Sequence, residues 1–261
     1  MRKLNLFLAA LAVPCFAMAQ NELNIEQAGT GHVIQIEQVG SNNLSDIAQR
    51  DAGQMVQIMQ TGNENWAYTD QEGMLNSVML EQSGNGNYSM FFQGGENNSA
   101  TAVMAGEENY VYIEQFGNDN TAEATQHAGT MSNSLEQFQW GDANYSSAEQ
   151  HSGMSNVIWQ GQYGNNNTAI ALQAGDRVWA VQYQEGMENY TAVAQYGADL
   201  WGETEQYGNG NIAAIGQTGT NHVGYIGQWG NNNAAAIIQT GNGKNAVITQ
   251  IGNNNVIGIV Q

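Results

Sequence analysis

The residues with the most regular spacing in this chain are carboxamides. Gln27, Gln38, Gln49, Gln60, Gln71, Gln82 and Gln93 follow one another at steps of eleven; Met104 takes the next place, and Gln115 and Gln126 resume. Two residues are inserted before Gln139, Gln150 follows, and one residue is inserted before Gln162. The step of eleven then holds through Gln173, Gln184, Gln195, Gln206, Gln217, Gln228, Gln239 and Gln250 to Gln261, giving 22 units of which 21 end in Gln. Six residues before the anchor, Asn stands in 16 of the 22 units, among them Asn21, Asn43, Asn65, Asn87, Asn120, Asn167, Asn211 and Asn255. A carboxamide carries two N–H donors and a carbonyl acceptor but is no nucleophile, acid or base. Repeated amides in fixed phase therefore point to hydrogen-bonded ladders, not to catalysis.

Other reactive side chains are sparse. His32, His127, His151 and His222 show no ligand spacing along the sequence, and two of them occupy the Asn place. No nucleophile elbow, phosphate loop or dinucleotide fingerprint occurs in a strand–helix context, and no metal, cofactor or enzymatic activity is expected. The acids, such as Glu37, Glu81, Glu114 and Asp119, fall at outward or turn places. They either keep a soluble chain apart or delay its assembly until low pH or divalent cations screen them. All six Trp fall at outward or turn places too, with Trp179 and Trp201 one period apart and Tyr207 and Trp229 likewise. Two readings fit them: cover for the ridges of an interior too thin for large rings, or a surface for lateral contact.

The elements that position the amides follow from the residues between them. From Asn to Gln the pattern has period two, with small or aliphatic residues on the Asn and Gln side: Ile34 and Ile36, Val56 and Ile58, Val78 and Leu80, Ala213 and Ile215. Alternation over seven residues bounded by Gly and Asn is a strand signal. A break every eleven residues is too frequent for helices. Eighteen of the 21 turns carry Gly two residues after the anchor, as at Gly29, Gly40, Gly62, Gly73, Gly84, Gly164, Gly208 and Gly252. Two of the three exceptions hold the insertions. Growth confined to turns is expected of a solenoid. The sequence thus predicts an all-β fold: a β-solenoid with two strands per 22-residue coil, about 11 coils, and a thin core of Ala, Ser, Val and Ile between two sheets. Inward Asn and Gln would stack on their equivalents in adjacent coils, since a buried amide without partners costs about 1–3 kcal/mol.

The first residues break from this pattern. Arg2 and Lys3 precede the apolar run Leu6 to Val13, and Ala17-Met18-Ala19 is a small-x-small cleavage site. Residues 1–19 read as a secretory signal peptide and residues 20–261 as the repeat domain. Cys15 is the chain's single cysteine, so the mature protein would have no disulfide or thiolate. Arg50, Arg177 and Lys244 then remain against 24 acids, a formal charge of −21, which excludes nucleic acid as a partner.

Both ends of the repeat region are in pattern. Asn21, Leu23, Ile25 and Gln27 share one face of the first strand, and Asn255, Ile257, Ile259 and Gln261 share one face of the last. A monomeric solenoid hides its end rungs under caps. Edges that complement each other without closing predict a filament, with these eight residues as its polymerisation edges.

The unit Gln-x-Gly-x-x-Asn-x-Ala-x-x-x-Gln, clear from Gln162 to Gln173 and again from Gln206 to Gln217, resembles the curlin repeat of bacterial curli fibres. The resemblance spans essentially all of the mature chain. It implies a functional amyloid secreted by a Gram-negative bacterium into the biofilm matrix, serving adhesion and surface colonisation. It also implies homopolymerisation, a nucleating curlin and an outer-membrane export pore as partners. Three departures stand out: about twice the familiar number of repeats, no polar leader before the first strand, and Asn places filled by His32, Gln54, Val178, Leu200, His222 and Lys244. The last four lie on one sheet, which is expected to be weaker toward its C-terminal end. Within this family the long regular array and the in-pattern last repeat resemble the major subunit more than the minor nucleator, which is the alternative. Outside it, the competing reading is a monomeric β-solenoid binding module.

Overall fold

A strand every eleven residues with one apolar face can bury that face only against another strand. A computed structural model describes residues 20–261; the signal-peptide reading of residues 1–19 lies outside the described residues. Each strand pairs in parallel with the strand one coil further on, 22 residues away, as Ile34 with Val56 and Gln38 with Gln60. The offset is 24 for Gln115–Gln139 and Gln126–Gln150, and 23 for Gln139–Gln162 and Gln150–Gln173, where the inserted residues lie.

Two parallel sheets result. The first sheet starts with Glu22–Thr30, Leu44–Ala52 and Trp66–Met74 and ends with Asn245–Ile251. The second starts with Val33–Ser41 and Met55–Asn63 and ends with Val256–Val260. This is the predicted parallel β-solenoid of about 11 coils, and it has no helix among the described residues. Among the described residues the continuous strands number 21, not 22. Thr168–Met187 and Tyr190–Asn209 each run unbroken through a corner, while Gly153–Met154 is a two-residue bridge beside an insertion.

The core is a single file of paired inward residues. Val56 and Ile58, Val78 and Leu80, Ala100 and Ala102, and Val111 and Ile113 are fully buried. One expectation needs correction: the interior does accept a large ring, because Phe91 is fully buried. The same cluster holds Ala100 and Ala102 on the following strand, whose small side chains leave the volume the ring needs.

The turns explain the glycines. Gly62 has φ +116°, and a Cβ there would lie 1.9 Å from the carbonyl oxygen of Gly84 in the next coil. Stacked turns thus approach too closely for any side chain. Two residues later the chain enters the left-handed region, at Asn42, Glu64, Leu75, Asn97 and Asp119 among others. This reverses it into the next strand.

Candidate functional site: amide ladders and open edges

The predicted amides converge as stacked columns. Gln49, Gln60, Gln71, Gln82, Gln115, Gln162, Gln173, Gln195, Gln217 and Gln239 are buried, as are Asn43, Asn65, Asn87, Asn120, Asn167 and Asn211. Gln27, Gln38, Asn21 and Asn255 at the outer coils are half-buried, and Gln261 is exposed.

Every Gln–Gln contact has the same polarity. Gln27 Nε2 donates to Gln49 Oε1 (2.8 Å), Gln38 to Gln60 (2.8 Å), Gln195 to Gln217 (2.8 Å) and Gln228 to Gln250 (2.7 Å). The second N–H crosses the core: Gln71 Nε2 donates to Met55 O (3.3 Å) and Gln184 to Thr168 O (2.9 Å). One side chain therefore links successive coils along the axis and the two sheets across it. The column is interrupted at Met104, where Gln82 Nε2 meets Sδ at 3.6 Å.

The Asn columns run the other way. Asn65 Nδ2 and its backbone N–H donate back to Asn43 Oδ1, both at 3.1 Å. Asn65 Nδ2 also donates to Gly84 O (3.0 Å), and Asn211 Nδ2 likewise to Gly230 O (2.8 Å). The Asn ladder thus pins the stacked glycine turns to the sheets. On the first sheet it stops at Asn156, whose Oδ1 accepts from Val178 N (2.9 Å). Val178 and Leu200 fill the place with buried hydrocarbon. His222 then restores the polar contacts: Nδ1 accepts from Lys244 N (3.1 Å), and Nε2 donates to Thr218 O (3.2 Å). An imidazole reproduces the acceptor and donor of the Asn amide, so the weakening expected there is partly offset.

A further Gln ladder lies inside the core. Gln137 Nε2 donates to Gln160 Oε1 (2.9 Å), and Gln160 to Gln182 (2.7 Å). These residues stand two before their anchors, where the sequence pattern leads one to expect small or aliphatic side chains. Their 23- and 22-residue separations were the available signal.

The outward rings stack as expected at Trp179–Trp201 (5.4 Å between centroids) and Tyr207–Trp229 (5.7 Å). All six Trp fall on the first sheet's strands or their adjoining turns, where Tyr68, Phe92, Tyr112, Phe138 and Trp159 form a continuous file. Burial raises the Tyr112, Tyr183 and Tyr225 phenols well above their ordinary range, and hydrogen bonds to Glu114, Glu185 and Glu205 add to this. The Arg177 guanidinium hydrogen-bonded to Asp199 (2.6 Å) holds that exposed carboxyl below its usual range.

The histidines correct one expectation. His127 and His151 are scattered in sequence but not in space: each directly follows its anchor, and their rings stack at 4.5 Å. The 24-residue offset between Gln126 and Gln150 masks this equivalence.

In the outermost described coils the strand faces are exposed. Leu23 and Ile25 are exposed at one end, and Val256, Ile257 and Val260 at the other, while Ile259 is half-buried. Gln27 and Gln38 leave Oε1 facing outward along the axis. Among the described residues Gln250 and Gln261 each use one N–H inward, to Ala234 O (3.0 Å) and Asn245 O (3.2 Å), and donate to no further amide.

The fold and its columns define the class: a parallel two-sheet β-solenoid held by internal amide ladders. Three segments, residues 55–82, 76–102 and 105–127, match the model of the curlin associated repeat. These segments are similar to the curlin associated repeat, and the flanking coils pair with the matched ones residue for residue, so the same coil continues on either side of them. No curated protein sequence matches the chain.

Proposed function

We propose that this protein is a secreted subunit that polymerises head-to-tail into extracellular curli-like amyloid fibres, serving the biofilm matrix, adhesion and surface colonisation. One observation carries the reading: the uniform polarity of the Gln ladders makes the two ends complementary. The first coil offers Oε1 acceptors at Gln27 and Gln38, and the last offers N–H donors at Gln250 and Gln261. A second copy docked in the same register continues both columns and both parallel sheets. Such a contact does not close on itself and so builds a filament.

The polymerisation edges are then Asn21, Leu23, Ile25 and Gln27 on one face and Asn255, Ile257, Ile259 and Gln261 on the other. In this reading the partners are further copies of the chain, a nucleating curlin and an outer-membrane export pore, and the site of action is the surface of a Gram-negative cell.

The test is fibre growth from the purified mature chain. Fibres should bind thioflavin and diffract at the spacing of parallel strands, about 4.7–4.9 Å. Val256→Pro should slow elongation sharply: Asn255 and Gln261 bond inward to the strand beneath, so by alternation Val256 points its N–H outward, and proline there removes an edge donor while leaving the strands beneath intact. A mature chain that stays monomeric for days at high concentration, or a Val256→Pro variant that elongates at the parent rate, refutes the proposal.

A further inference from the structure

His127 and His151 flank Glu149 on the outer face of the second sheet. His127 Nε2 lies 2.6 Å from Glu149 Oε1, and His151 Nε2 lies 3.2 Å from the same oxygen. One ligand atom from each of the three falls within 4.8 Å of the others. The rings are parallel to within 6°, so both nitrogens present to the same side of the sheet. The group is accessible, with each side chain about two-fifths exposed. The equivalent places in the coils on either side are Ala105 and Ala174, which leave room around the imidazoles.

We propose that His127, Glu149 and His151 form a binding site for a borderline transition-metal dication, Zn²⁺ or Cu²⁺. Two imidazoles and a carboxylate are a ligand set these ions accept, with a remaining position left for water. Tetrahedral zinc ligands at bonds of roughly 2.0–2.1 Å stand a little over 3 Å apart, close to the separations already present. In the metal-free geometry His127 Nε2 donates its proton to Glu149 Oε1, and His151 Nε2 lies close to the same oxygen. On metal uptake the ring proton moves through solvent to Nδ1, and the Nε2 lone pair takes the metal. No bond is broken otherwise.

The location gives the site a structural consequence. His127 and His151 open the two turns that carry inserted residues, and the second-sheet register shifts between Gln126 and Thr130. The glycine column is interrupted in the turn after His127, where a Cβ on Gly129 would meet nothing within 4 Å and Thr130 stands over Gly106; it resumes in the turn after His151, where Gly153 stacks on Gly175. A metal shared by His127 of one coil and Glu149 and His151 of the next would clamp the solenoid where its turn column is interrupted. The strongly negative chain also raises the local concentration of cations.

The test is calorimetric titration of the soluble mature chain with ZnCl₂, with Co²⁺ absorption as a coordination probe. One equivalent should bind per chain, and the thermal midpoint should rise. His127→Ala and His151→Ala should each weaken uptake at least roughly tenfold, because losing a ligand costs no less than losing an outer-shell partner. Both residues are surface-exposed, so the variants should keep the parent circular dichroism. His32→Ala should leave uptake unchanged. Absence of measurable binding at micromolar protein, or equal binding in the His127→Ala/His151→Ala double variant, overturns the proposal. The titration does not require fibres, so its outcome is independent of the polymerisation reading.

Discussion

Met104 stands directly beneath Gln126 on the second sheet, and because a thioether cannot donate, Gln126 Oε1 is buried without a partner. It is the one non-amide in a column otherwise built of Gln.

Replacing Met104 with Gln should mend the ladder on both sides, accepting from Gln82 and donating to Gln126. An unsatisfied buried acceptor costs about 1–3 kcal/mol, so Met104→Gln should raise stability by an amount in that range. Urea denaturation of the soluble chain measures it. Gln82→Met, which creates a second gap, should lower stability, and an unchanged midpoint in both variants would mean that the ladder contributes nothing.

The turns give a pair of opposite effects. Gly62→Ala places a Cβ 1.9 Å from Gly84 O at a left-handed φ, and should destabilise by more than about 1–2 kcal/mol. Leu75 already holds a left-handed φ of 58° with an exposed side chain, so Leu75→Asn should stabilise by about 1 kcal/mol. Thermal unfolding of both variants checks the signs.

His222 should tolerate Asn but not Leu. Asn offers the same acceptor to Lys244 N and the same donor to Thr218 O, whereas Leu leaves both backbone groups unpaired at a cost of about 1–3 kcal/mol. Hydrogen exchange at the Lys244 amide distinguishes the two.

Most of the fold was legible because eleven-residue phase is arithmetic: once Gln27 and Gln38 define the anchors, inward and outward places follow for Val56, Gly62 and Trp179 alike. What escaped was whatever the phase alone does not rank. Phe91 occupies an inward place whose volume depends on Ala100 and Ala102 across the core, a three-dimensional fact. Gln137, Gln160 and Gln182 sit where aliphatic residues are expected, and the inserted residues disguise their spacing. The same insertions hide the juxtaposition of His127 with His151. The gathering of all six Trp on one sheet was present in the parity of the unit number, which alternates between the two sheets.

Alkaline pH should loosen the aromatic face. The Tyr112, Tyr183 and Tyr225 phenols are raised above the ordinary value of 10.0, so the folded state favours their neutral forms. Their contribution is therefore complete below pH 10 and is lost as pH rises through the folded values. Stability followed together with tyrosinate absorbance should fall in that range, and Tyr→Phe changes at these three positions should move the fall to higher pH.

The account rests above all on end-to-end continuation of the coils, and an engineered cross-link reads it directly. In that register Val247 of one copy lies beside Asn24 of the next; both are exposed, and residues 20–261 carry no competing cysteine. Neighbouring parallel strands are about 4.8 Å apart, within disulfide reach. Oxidised fibres of the Asn24→Cys/Val247→Cys double variant should run as covalent multimers under denaturing, non-reducing conditions and collapse to monomer on reduction. Fibres that form normally yet give only monomer would contradict it.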